Sequence, residues 1–362
     1  MNLPPLLFLR PTRVWRGYLG GRVLDELERK PQPRDDHFPE DWIASTTRAI
    51  NPGREHLARE GLTAVDVGGG EERLLADLCA RFPAEMLGEA HVRAFGPTMQ
   101  FLLKLLDSAV RLPMQCHPTI EFAKARLNSR SGKTEAYVIL KTRDEVKEPY
   151  ILMDFQRPPS PGEWRRAIVE QDIDFMLSCF DRIPVRAGDV FIVPGGAPHA
   201  IGEGVLMIEC MEPTDFVARV EFTCAGFTQP EAGRFMGRDV DFAVEMFDFA
   251  RISLEDVRRR YFQTPQLLRR YGDSGAEWSL IDERATPCFR VKRLDVAGAV
   301  EKEDESFYVG VVASGAGRVS CGGVARDVAF GDRFFVPFQT GPVRFESNGR
   351  MEVVCALPPL SS

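Results

Sequence analysis

The chain has 362 residues, of which 44% are hydrophobic, and it carries a formal net charge of −7. This length allows two or three domains with buried cores, and the negative charge argues against a nucleic-acid-binding protein, which needs a basic face. The eight cysteines include no C-x-x-C pair, so neither a zinc ribbon nor a disulfide framework is indicated. Because no apolar run approaches the length of a membrane span and no signal-peptide pattern is found, we expect a cytoplasmic protein without membrane partners.

The first hundred residues combine short strand and helix patterns. Alternation over 42–47 predicts a strand, and the apolar spacing over 71–82 predicts an amphipathic helix. The run 99–106 is apolar except for Lys104. A lysine in such a run either snorkels to the surface or points into a polar cavity, and the pattern alone favours snorkelling.

Between residues 112 and 222 the chain consists of short strand patterns separated by glycine and proline. Strands are predicted over 112–115, 135–140, 150–155, 190–193, 205–210 and 217–222. Helices are predicted from Pro118 to about residue 127 and, in two pieces, over 164–180. Many short strands with a few helices indicate a mainly β fold, a sandwich or jelly-roll barrel with helical elaborations.

The pattern changes after residue 237. Helical spacing over 240–249 and a possible N-cap at Ser253 predict two helices, and the polar stretch 262–285 is predicted to be a linker. From 289 to 358 the chain is rich in strand patterns again.

This last part contains an internal repeat. The sequence from Gly331 to Pro337 repeats the spacing from Gly188 to Pro194, but no histidine follows the second copy. We therefore expect two copies of one β-domain with ligands only in the first. The predicted division is an N-terminal catalytic domain over 1–237, a helical connector over 238–285 and a degenerate C-terminal domain over 286–362.

Three short segments supply side chains of the kind that bind metal ions. Gln115 and His117 lie two apart, as do Lys133 and Glu135, so each pair projects from one face of a strand. His199 follows a strand and a rigid Pro-Gly-Gly turn. If the segments meet, these side chains surround one point and suit a divalent ion such as zinc. Taken singly, His117 could instead pair with a carbonyl beside a helix, and His199 could be a turn residue.

The spacing Gly188-x5-Pro194-x-Gly196-x2-His199 resembles the second motif of the cupin fold. Together with the segments 115–118 (Gln-Cys-His-Pro) and 132–135 (Gly-Lys-Thr-Glu), it resembles the type I phosphomannose isomerases, and the shorter bacterial members most closely. The resemblance extends over nearly the whole chain.

This resemblance implies a double-cupin chain that binds one zinc ion and interconverts mannose 6-phosphate and fructose 6-phosphate. Lys133 and Lys104 match active-site lysines of the family, which reverses the preference for snorkelling at Lys104. Arg219 matches an arginine considered catalytic, and Asp215, in the same Asp-x-x-x-Arg segment, is a candidate for substrate binding. The implied zinc ligands are Gln115, His117, Glu135 and His199.

The sequence departs from the family pattern at the edge of the expected sugar pocket. Thr119 and Ile120 stand where acidic residues usually follow His-Pro. The segment 212–215 reads Glu-Pro-Thr-Asp where Ser-Ser-Asp often precedes the arginine, and Val-Glu-Phe stands at 220–222 where an aromatic residue and Asp usually follow it. These departures concern the identity of the substrate more than metal binding.

An aldose–ketose isomerase moves a proton between neighbouring carbons through an enediol(ate). A divalent ion would polarise the sugar oxygens, and Lys133 or Arg219 would add positive charge in a dry cavity. The base stays open between a lysine near the metal and a metal-bound water. A substrate phosphate would need one or two cations, for which Lys104 and Lys133 are candidates.

Other functions stay open. A cupin dioxygenase typically presents three histidines and is disfavoured, whereas a zinc-binding sugar sensor without turnover is compatible with the departures. The cations also have plainer explanations: Lys133 could cap a turn in solvent, and Arg219 could form a surface ion pair with Asp215 or Glu221. We expect a monomer or homodimer that binds a small sugar phosphate and no nucleic acid.

Overall fold

The computed structural model of the chain describes residues 3–68 and 70–361. The predicted outer domain limits, residues 1 and 362, therefore lie outside the described residues. The fold is mainly β, as predicted. The strands of the first two thirds of the chain are β1 (Leu7–Phe8), β2 (Arg13–Val14), β3 (Glu40–Ile43), β4 (Ala64–Asp66), β5 (Glu72–Leu74), β6 (Leu102–Asp107), β7 (Gln115–Cys116), β8 (Glu135–Thr142), β9 (Tyr150–Met153), β10 (Ile183–Pro184), β11 (Val190–Val193), β12 (His199–Ile201), β13 (Val205–Met211), β14 (Ala218–Arg219), β15 (Thr223–Cys224) and β16 (Phe227–Thr228).

The helices are short and belong mainly to the same part of the chain. They are α1 (Arg22–Leu27), α2 (Leu75–Arg81), α3 (Pro83–Leu87), α4 (Glu89–Phe95), α5 (Ile120–Arg126), α6 (Pro161–Glu170), α7 (Ile173–Ser178), α8 (Glu231–Arg234), α9 (Val240–Val244) and α10 (Leu254–Tyr261). The remaining strands are β17 (Gln266–Arg270), β18 (Gly275–Ile281), β19 (Arg290–Val296), β20 (Ala299–Lys302), β21 (Tyr308–Cys321), β22 (Val324–Ala329), β23 (Arg333–Val336), β24 (Val343–Glu346) and β25 (Met351–Leu357).

Capping decides where two of the predicted helices begin. The helix expected from Pro118 begins at Ile120 instead, because the Thr119 hydroxyl accepts a hydrogen bond from the Phe122 N–H and acts as N-cap. The Ser253 hydroxyl likewise accepts from the Asp256 N–H and caps α10, as predicted. The helix expected over 71–82 is shorter, because its first residues pair as β5 with β4.

Two sheets face each other in the first part of the molecule. One has five strands in the order β10-β9-β12-β7-β14, and the other has six in the order β11-β8-β13-β6-β3-β2. Side chains from both sheets form the apolar core between them, including Tyr137 and Ile139 of β8 and Ile151 of β9. The metal-binding candidates lie on these facing strands.

The period of two along each strand decides which side chains enter this space. Along β8, Ala136 and Val138 belong to the core on the opposite side of the sheet, whereas Tyr137 and Ile139 face the five-stranded sheet. By the same alternation Lys104 of β6 shares its side with Leu106, and Glu209 of β13 shares its side with Met207. Two charged side chains in apolar strands therefore point inward.

The outer faces of the two sheets are also covered. Trp164 of α6, Met176 of α7 and Phe242 of α9 pack on the five-stranded sheet. The six-stranded sheet packs against the third, ten-stranded sheet through residues such as Phe307 and Phe335, together with α2 and α3. The whole described chain is thus a stack of layers, with the candidate site between the first two sheets.

The ten-stranded sheet corrects the predicted linker. Its main path runs β1-β23-β21-β25-β19-β18-β17, and β20, β22 and β24 extend it. Residues 262–285, predicted to be a linker, contain β17 and β18, and Leu280 and Ile281 of β18 are buried in the core. The strand β1 from the start of the chain also pairs with β23.

The internal repeat is visible in the backbone. Gly188 and Gly331 have φ angles of 91° and 90°, and each glycine is followed by a strand, β11 or β23. Only glycine adopts this left-handed conformation without strain, which explains why both copies of the repeat begin with it. The division of the chain into two cupin domains remains a prediction. Across the described residues, the helices are too short or too polar for a membrane-spanning segment.

Candidate functional site

Three side chains of the site lie in one row across the five-stranded sheet. His199 of β12 pairs with Gln115 of β7, and Gln115 pairs on its other edge with Arg219 of β14. Residues in register on neighbouring strands project from the same face of a sheet. The row therefore carries an imidazole, an amide and a guanidinium side by side.

Close backbone packing holds the three ligand segments, 115–118, 132–135 and 194–199, together. The Gly196 N–H donates to the carbonyl oxygen of His117 (2.8 Å), and the Lys133 N–H donates to that of Pro118 (3.0 Å). A Cβ atom on Gly195 or Gly132 would lie within 2.7 Å of the Pro118 oxygen. Because neither glycine has a side chain, both segments can touch the backbone of the residues that follow His117.

The structure brings His117, Glu135 and His199 together. One ligand atom from each lies within 4.8 Å of the others, and all three residues are buried. Nε2 of His117 is 3.1 Å from one carboxylate oxygen of Glu135, and Nε2 of His199 is 3.5 Å from the other. Three of the four predicted ligands are therefore close enough together to hold a metal ion.

Backbone carbonyls fix the orientation of both imidazoles. Nδ1 of His117 is 2.8 Å from the carbonyl oxygen of Phe216, and Nδ1 of His199 is 2.9 Å from that of Ala197. A carbonyl only accepts, so each Nδ1 carries the proton and each Nε2 presents a lone pair towards Glu135. His117 therefore has the carbonyl partner that was considered as an alternative to metal binding, and its other ring nitrogen is still free to bind a metal ion.

Gln115 lies at the edge of this cluster. Its Nε2 atom is 3.3 Å from Nε2 of His199, so in this orientation the amide donates to the imidazole. The amide would present its oxygen instead if it turned over. Tyr137 donates its hydroxyl to the second oxygen of Glu135, which holds that carboxylate in place.

Burial and neighbouring charges shift the pKa values of the cluster. Burial and the positive charge of Lys133 lower the pKa of His117 to about 3, so its imidazole is neutral near neutral pH. Burial alone would raise the pKa of Glu135, but His117 and Lys133 outweigh it and hold that pKa well below its usual value. His117 is thus a neutral imidazole beside the carboxylate anion of Glu135, and these are the protonation states that metal binding needs.

Lys133 lies inside the cluster and not in solvent. Its Nζ atom is 2.8 Å from Glu135 Oε1 and 3.1 Å from Nε2 of His117, and the side chain is 6% exposed. The alternative of a solvated turn cap is therefore wrong. The ammonium group of Lys133 thus contacts Glu135 Oε1 and His117 Nε2, two atoms that a bound metal ion would also contact.

Lys104 is buried in the space between the sheets, which contradicts snorkelling. Its Nζ atom lies 3.1 Å from Glu209 and 3.7 Å from Glu40. Burial alone would lower the pKa of Lys104, but these two carboxylates raise it above its usual value. The lysine is therefore a buried cation held between two acids, as the family resemblance and not the sequence pattern indicated.

Asp215 and Arg219 are not paired with each other. Both oxygens of Asp215 accept from the guanidinium of Arg16 (3.1 and 3.2 Å), and one also accepts from the Ile50 N–H (2.8 Å). Glu221 binds Arg111 (2.6 Å). Neither acid pairs with Arg219 in the part of the chain that the structure describes, so the alternative of a surface ion pair is wrong.

One cavity joins these groups. It encloses about 770 Å³ of empty space, solvent at its mouth included, and its wall contains Gln115, Lys133, Glu135, Lys104, Asp215 and Arg219. Metal-ligand candidates, cations and acids thus surround one space.

Sequence reasoning missed three charged residues of this wall. Arg16 binds Asp215 and, through Nε, Glu40 (3.0 Å), so Glu40 links the guanidinium to Lys104. Glu209 lies on the opposite side of Lys104, and burial raises its pKa to about 8. The available signal was Glu209, the single charged residue of the otherwise apolar strand β13.

Curated relatives agree with the resemblance found in the sequence. The chain is 26% identical over 280 residues to a mannose-6-phosphate isomerase of Streptococcus mutans, covering 76% of this chain and 80% of the relative. It is also 26% identical over 273 residues to a mannose-6-phosphate isomerase of Bacillus subtilis, covering 73% and 79%. No family model matches the chain.

Solved structures share the fold over the full length. The mannose 6-phosphate isomerase of Bacillus subtilis superposes with a TM-score of 0.70 at 20% identity, covering 98% of this chain and 99% of that one. A mutant of phosphomannose isomerase from Salmonella typhimurium superposes with a TM-score of 0.71 at 16% identity, covering 99% and 100%. The predicted resemblance to phosphomannose isomerases is therefore confirmed in sequence and in fold.

Proposed function

We propose that the protein is a metal-dependent aldose–ketose isomerase that interconverts mannose 6-phosphate and fructose 6-phosphate through an enediol(ate). The observation that carries the proposal is the buried cluster of His117, Glu135 and His199, of which Glu135 lies in the wall of a cavity rich in cations. Relatives named mannose-6-phosphate isomerase, matching about three quarters of the chain, supply the substrate and the reaction.

The residues of the cluster fit a divalent ion. Two ligand atoms bound about 2.1 Å from one ion in tetrahedral geometry are about 3.4 Å apart. Nε2 of His117 is 3.1 Å from one oxygen of Glu135 and Nε2 of His199 is 3.5 Å from the other, so each of these two pairs is near this separation. One ligand atom from each of the three residues lies within 4.8 Å of the others. His117, Glu135 and His199 would hold the ion, with Gln115 as a fourth ligand through its amide oxygen. Imidazole and carboxylate ligands favour zinc.

A bound divalent cation would polarise the carbonyl and hydroxyl oxygens of the sugar. Lys133 lies beside the ligands and would place its positive charge near the reacting carbons, where the enediolate charge develops. Lys104 would bind the sugar from the same wall, held by Glu40 and Glu209. The migrating proton needs an acceptor within hydrogen-bond reach, for which Glu209 in its ionised form is the candidate.

Arg219 and Asp215 complete the proposed substrate wall. Arg219 contributes a guanidinium at the end of the row that begins at His199, and it is proposed to bind substrate. Asp215 is held by Arg16 and the Ile50 N–H, so its oxygens would reach substrate only through remaining lone pairs. Asp215 would also contribute to substrate binding by holding the Arg16 guanidinium in the cavity wall.

We further propose that the chain is a cytoplasmic double cupin. The N-terminal cupin over 1–237 would carry the site, and the degenerate C-terminal cupin over 286–362 would support it. The repeat at Gly188 and Gly331 supports two copies, while β17 and β18 add the end of the 238–285 connector to the C-terminal sheet.

A coupled assay with mannose 6-phosphate, before and after chelation, tests the function. Isomerisation that chelation abolishes and zinc restores is expected. Metal binding without turnover would instead identify a zinc-binding sugar sensor, and consumption of oxygen would identify a dioxygenase.

Metal content tests the ligand set. Glu135→Gln should lower the zinc content of the purified protein, because a neutral amide replaces the only anion of the cluster. Unchanged content would remove Glu135 from the ligands.

A further inference from the structure

The internal repeat extends from the sequence to the pairing of the strands. In the first copy, Val193 at the end of β11 lies opposite Glu135 of β8. In the second copy, Val336 at the end of β23 lies opposite Tyr308 of β21. Each valine precedes the proline that ends the repeated sequence. Tyr308 therefore stands, by strand register, at the position that Glu135 holds in the metal cluster.

The same register gives Lys104 a counterpart in the second copy. From the residue two beyond Glu135, the row of paired residues crosses β13 and reaches Lys104 on β6. From the residue two beyond Tyr308, the equivalent row crosses β25 and reaches Lys292 on β19. Residues in one such row project from the same face of the sheet. Lys292 thus lies in the second copy where Lys104 lies in the first.

The glutamate beside this lysine also recurs. Glu40 lies opposite the residue two beyond Lys104, and Glu277 of β18 lies opposite the residue two beyond Lys292. The distance from the lysine Nζ atom to the glutamate is 3.7 Å in both copies. The second copy therefore repeats part of the charge arrangement that surrounds the metal cluster.

Lys302 of β20 adds a second ammonium group to this arrangement. Its side chain is 1% exposed, and its Nζ atom lies 3.0 Å from Glu277 Oε1 and also contacts Asp304. The same atom lies 4.8 Å from the centre of the Tyr308 ring. The Tyr308 hydroxyl has no hydrogen-bond partner among the described residues. The ammonium group is thus placed between two carboxylates and beside the counterpart of Glu135.

The charges of this second cluster, which consists of Glu277, Lys292, Lys302 and Asp304, balance. Lys292 completes it by pairing with Asp304 at 2.7 Å. The two carboxylate side chains are 10% and 6% exposed, so they need cations as partners. The chain has no histidine after His199, so imidazole ligands for a metal ion are not available there. The ammonium groups supply the positive charge instead.

We propose that the ammonium group of Lys302 is the built-in cation of this second cluster and takes the place that a metal ion has in the first. The inference goes beyond the proposed isomerase activity and does not depend on it. It implies that removing the ammonium group leaves Glu277, Asp304 and the Tyr308 hydroxyl facing a vacated position. Oxygen ligands of this kind suit a hard divalent ion, so such a variant should take one up.

Binding of Mn²⁺ tests the proposal, because this ion suits carboxylate ligands and its free form is measured by electron paramagnetic resonance. The zinc-loaded wild type and Lys302→Ala are titrated, since an imidazole-containing cluster keeps zinc in preference to Mn²⁺. We expect Lys302→Ala to bind one more Mn²⁺ ion per chain than the wild type. Adding Asp304→Asn should weaken this binding about tenfold or more. Lys141→Ala, which removes an exposed lysine of β8, should match the wild type.

Two results would overturn the proposal. One is equal Mn²⁺ binding by the wild type and Lys302→Ala, and the other is additional binding that persists after Asp304→Asn. Because only differences between variants are compared, the outcome is independent of whether the first cluster isomerises a sugar. Isomerase activity, measured on the same samples, tests the proposed function separately.

Thermal unfolding gives a second readout that needs no added metal. Lys302→Met removes the charge but keeps a long side chain, and it should lower the unfolding midpoint by about 5 °C or more. In a protein that already carries Glu277→Gln and Asp304→Asn, the same change should raise the midpoint, because the ammonium group there has lost its carboxylates. A similar fall in both proteins would contradict the proposal. If Lys302→Met alone does not fold, the triple variant should fold, and its failure to fold would count against the proposal equally.

Discussion

Gly195 supports a prediction about how the ligand segments are held together. The Gly195-Gly196 turn that precedes His199 packs directly on the backbone of residues 118–119. Gly195 does not have a positive φ angle, so the reason for glycine here is space and not backbone conformation. Replacing it by alanine should therefore separate the segment that carries His117 from the segment that carries His199.

The size of the displacement follows from the structure. A Cβ atom on Gly195 would lie 2.7 Å from the Pro118 oxygen, whereas ordinary contact begins at 3.4 Å, a shortfall of 0.7 Å. The atoms it meets belong to the backbone and cannot turn aside as a flexible side chain would. Metal ligands tolerate errors of about 0.2 Å, so a shift of this size should weaken zinc binding at least tenfold. Overpacking should also cost about 1–3 kcal/mol of the free energy of unfolding.

Competition with a chromogenic chelator measures zinc affinity, and urea unfolding of the metal-free protein measures stability. Gly162→Ala is a matched control, because a Cβ atom at Gly162 meets nothing within 4 Å and the residue lies at the start of α6. Alanine there should keep zinc affinity and raise stability by about 0.5–1 kcal/mol. If Gly195→Ala binds zinc as tightly as Gly162→Ala, the packing argument is refuted.

Two further predictions concern buried carboxylates near the site. Glu212 accepts the N–H groups of Gly132 and Thr134 (2.9 Å each) on both sides of Lys133. An amide can accept only one of them, so Glu212→Gln should lower kcat about tenfold in the isomerase assay, and unchanged kcat would contradict a positioning role. Burial raises the pKa of Glu209 from 4.5 to about 8, so the native state keeps a proton that the unfolded state loses as pH rises through this range. The free energy of unfolding should therefore fall between pH 4.5 and 8, and Glu209→Gln should flatten this fall in urea titrations; an equal slope in both proteins would contradict the assignment.

The strands and the ligand segments could be predicted because they depend on local rules. Glycine before each strand of the repeat, two-residue spacing in the pairs at 115–117 and 133–135, and alternation along β8 are all local in sequence. How the three ligand segments pack together could not be predicted in this way. It depends on Gly132 and Gly195 meeting the same stretch of backbone, a contact that joins residues far apart in the chain.

The environment of Lys104 shows why the remaining part of the site needed the structure. Alternation alone places Lys104 on one side of β6 but cannot tell which side is solvent, and here both sides are covered. A buried lysine is tolerated only because Glu40 and Glu209 come from two other strands of the same sheet.

The same reasoning explains why the alternative of an ion pair for Arg219 was wrong. From the sequence, Asp215 four residues earlier and Glu221 two residues later are its nearest acids, and either could have been its partner. The fold brings Arg16, about 200 positions away, to Asp215 and brings Arg111 to Glu221. Among the residues that the structure describes, Arg219 is left without a carboxylate partner, and that imbalance is what makes it available to a ligand.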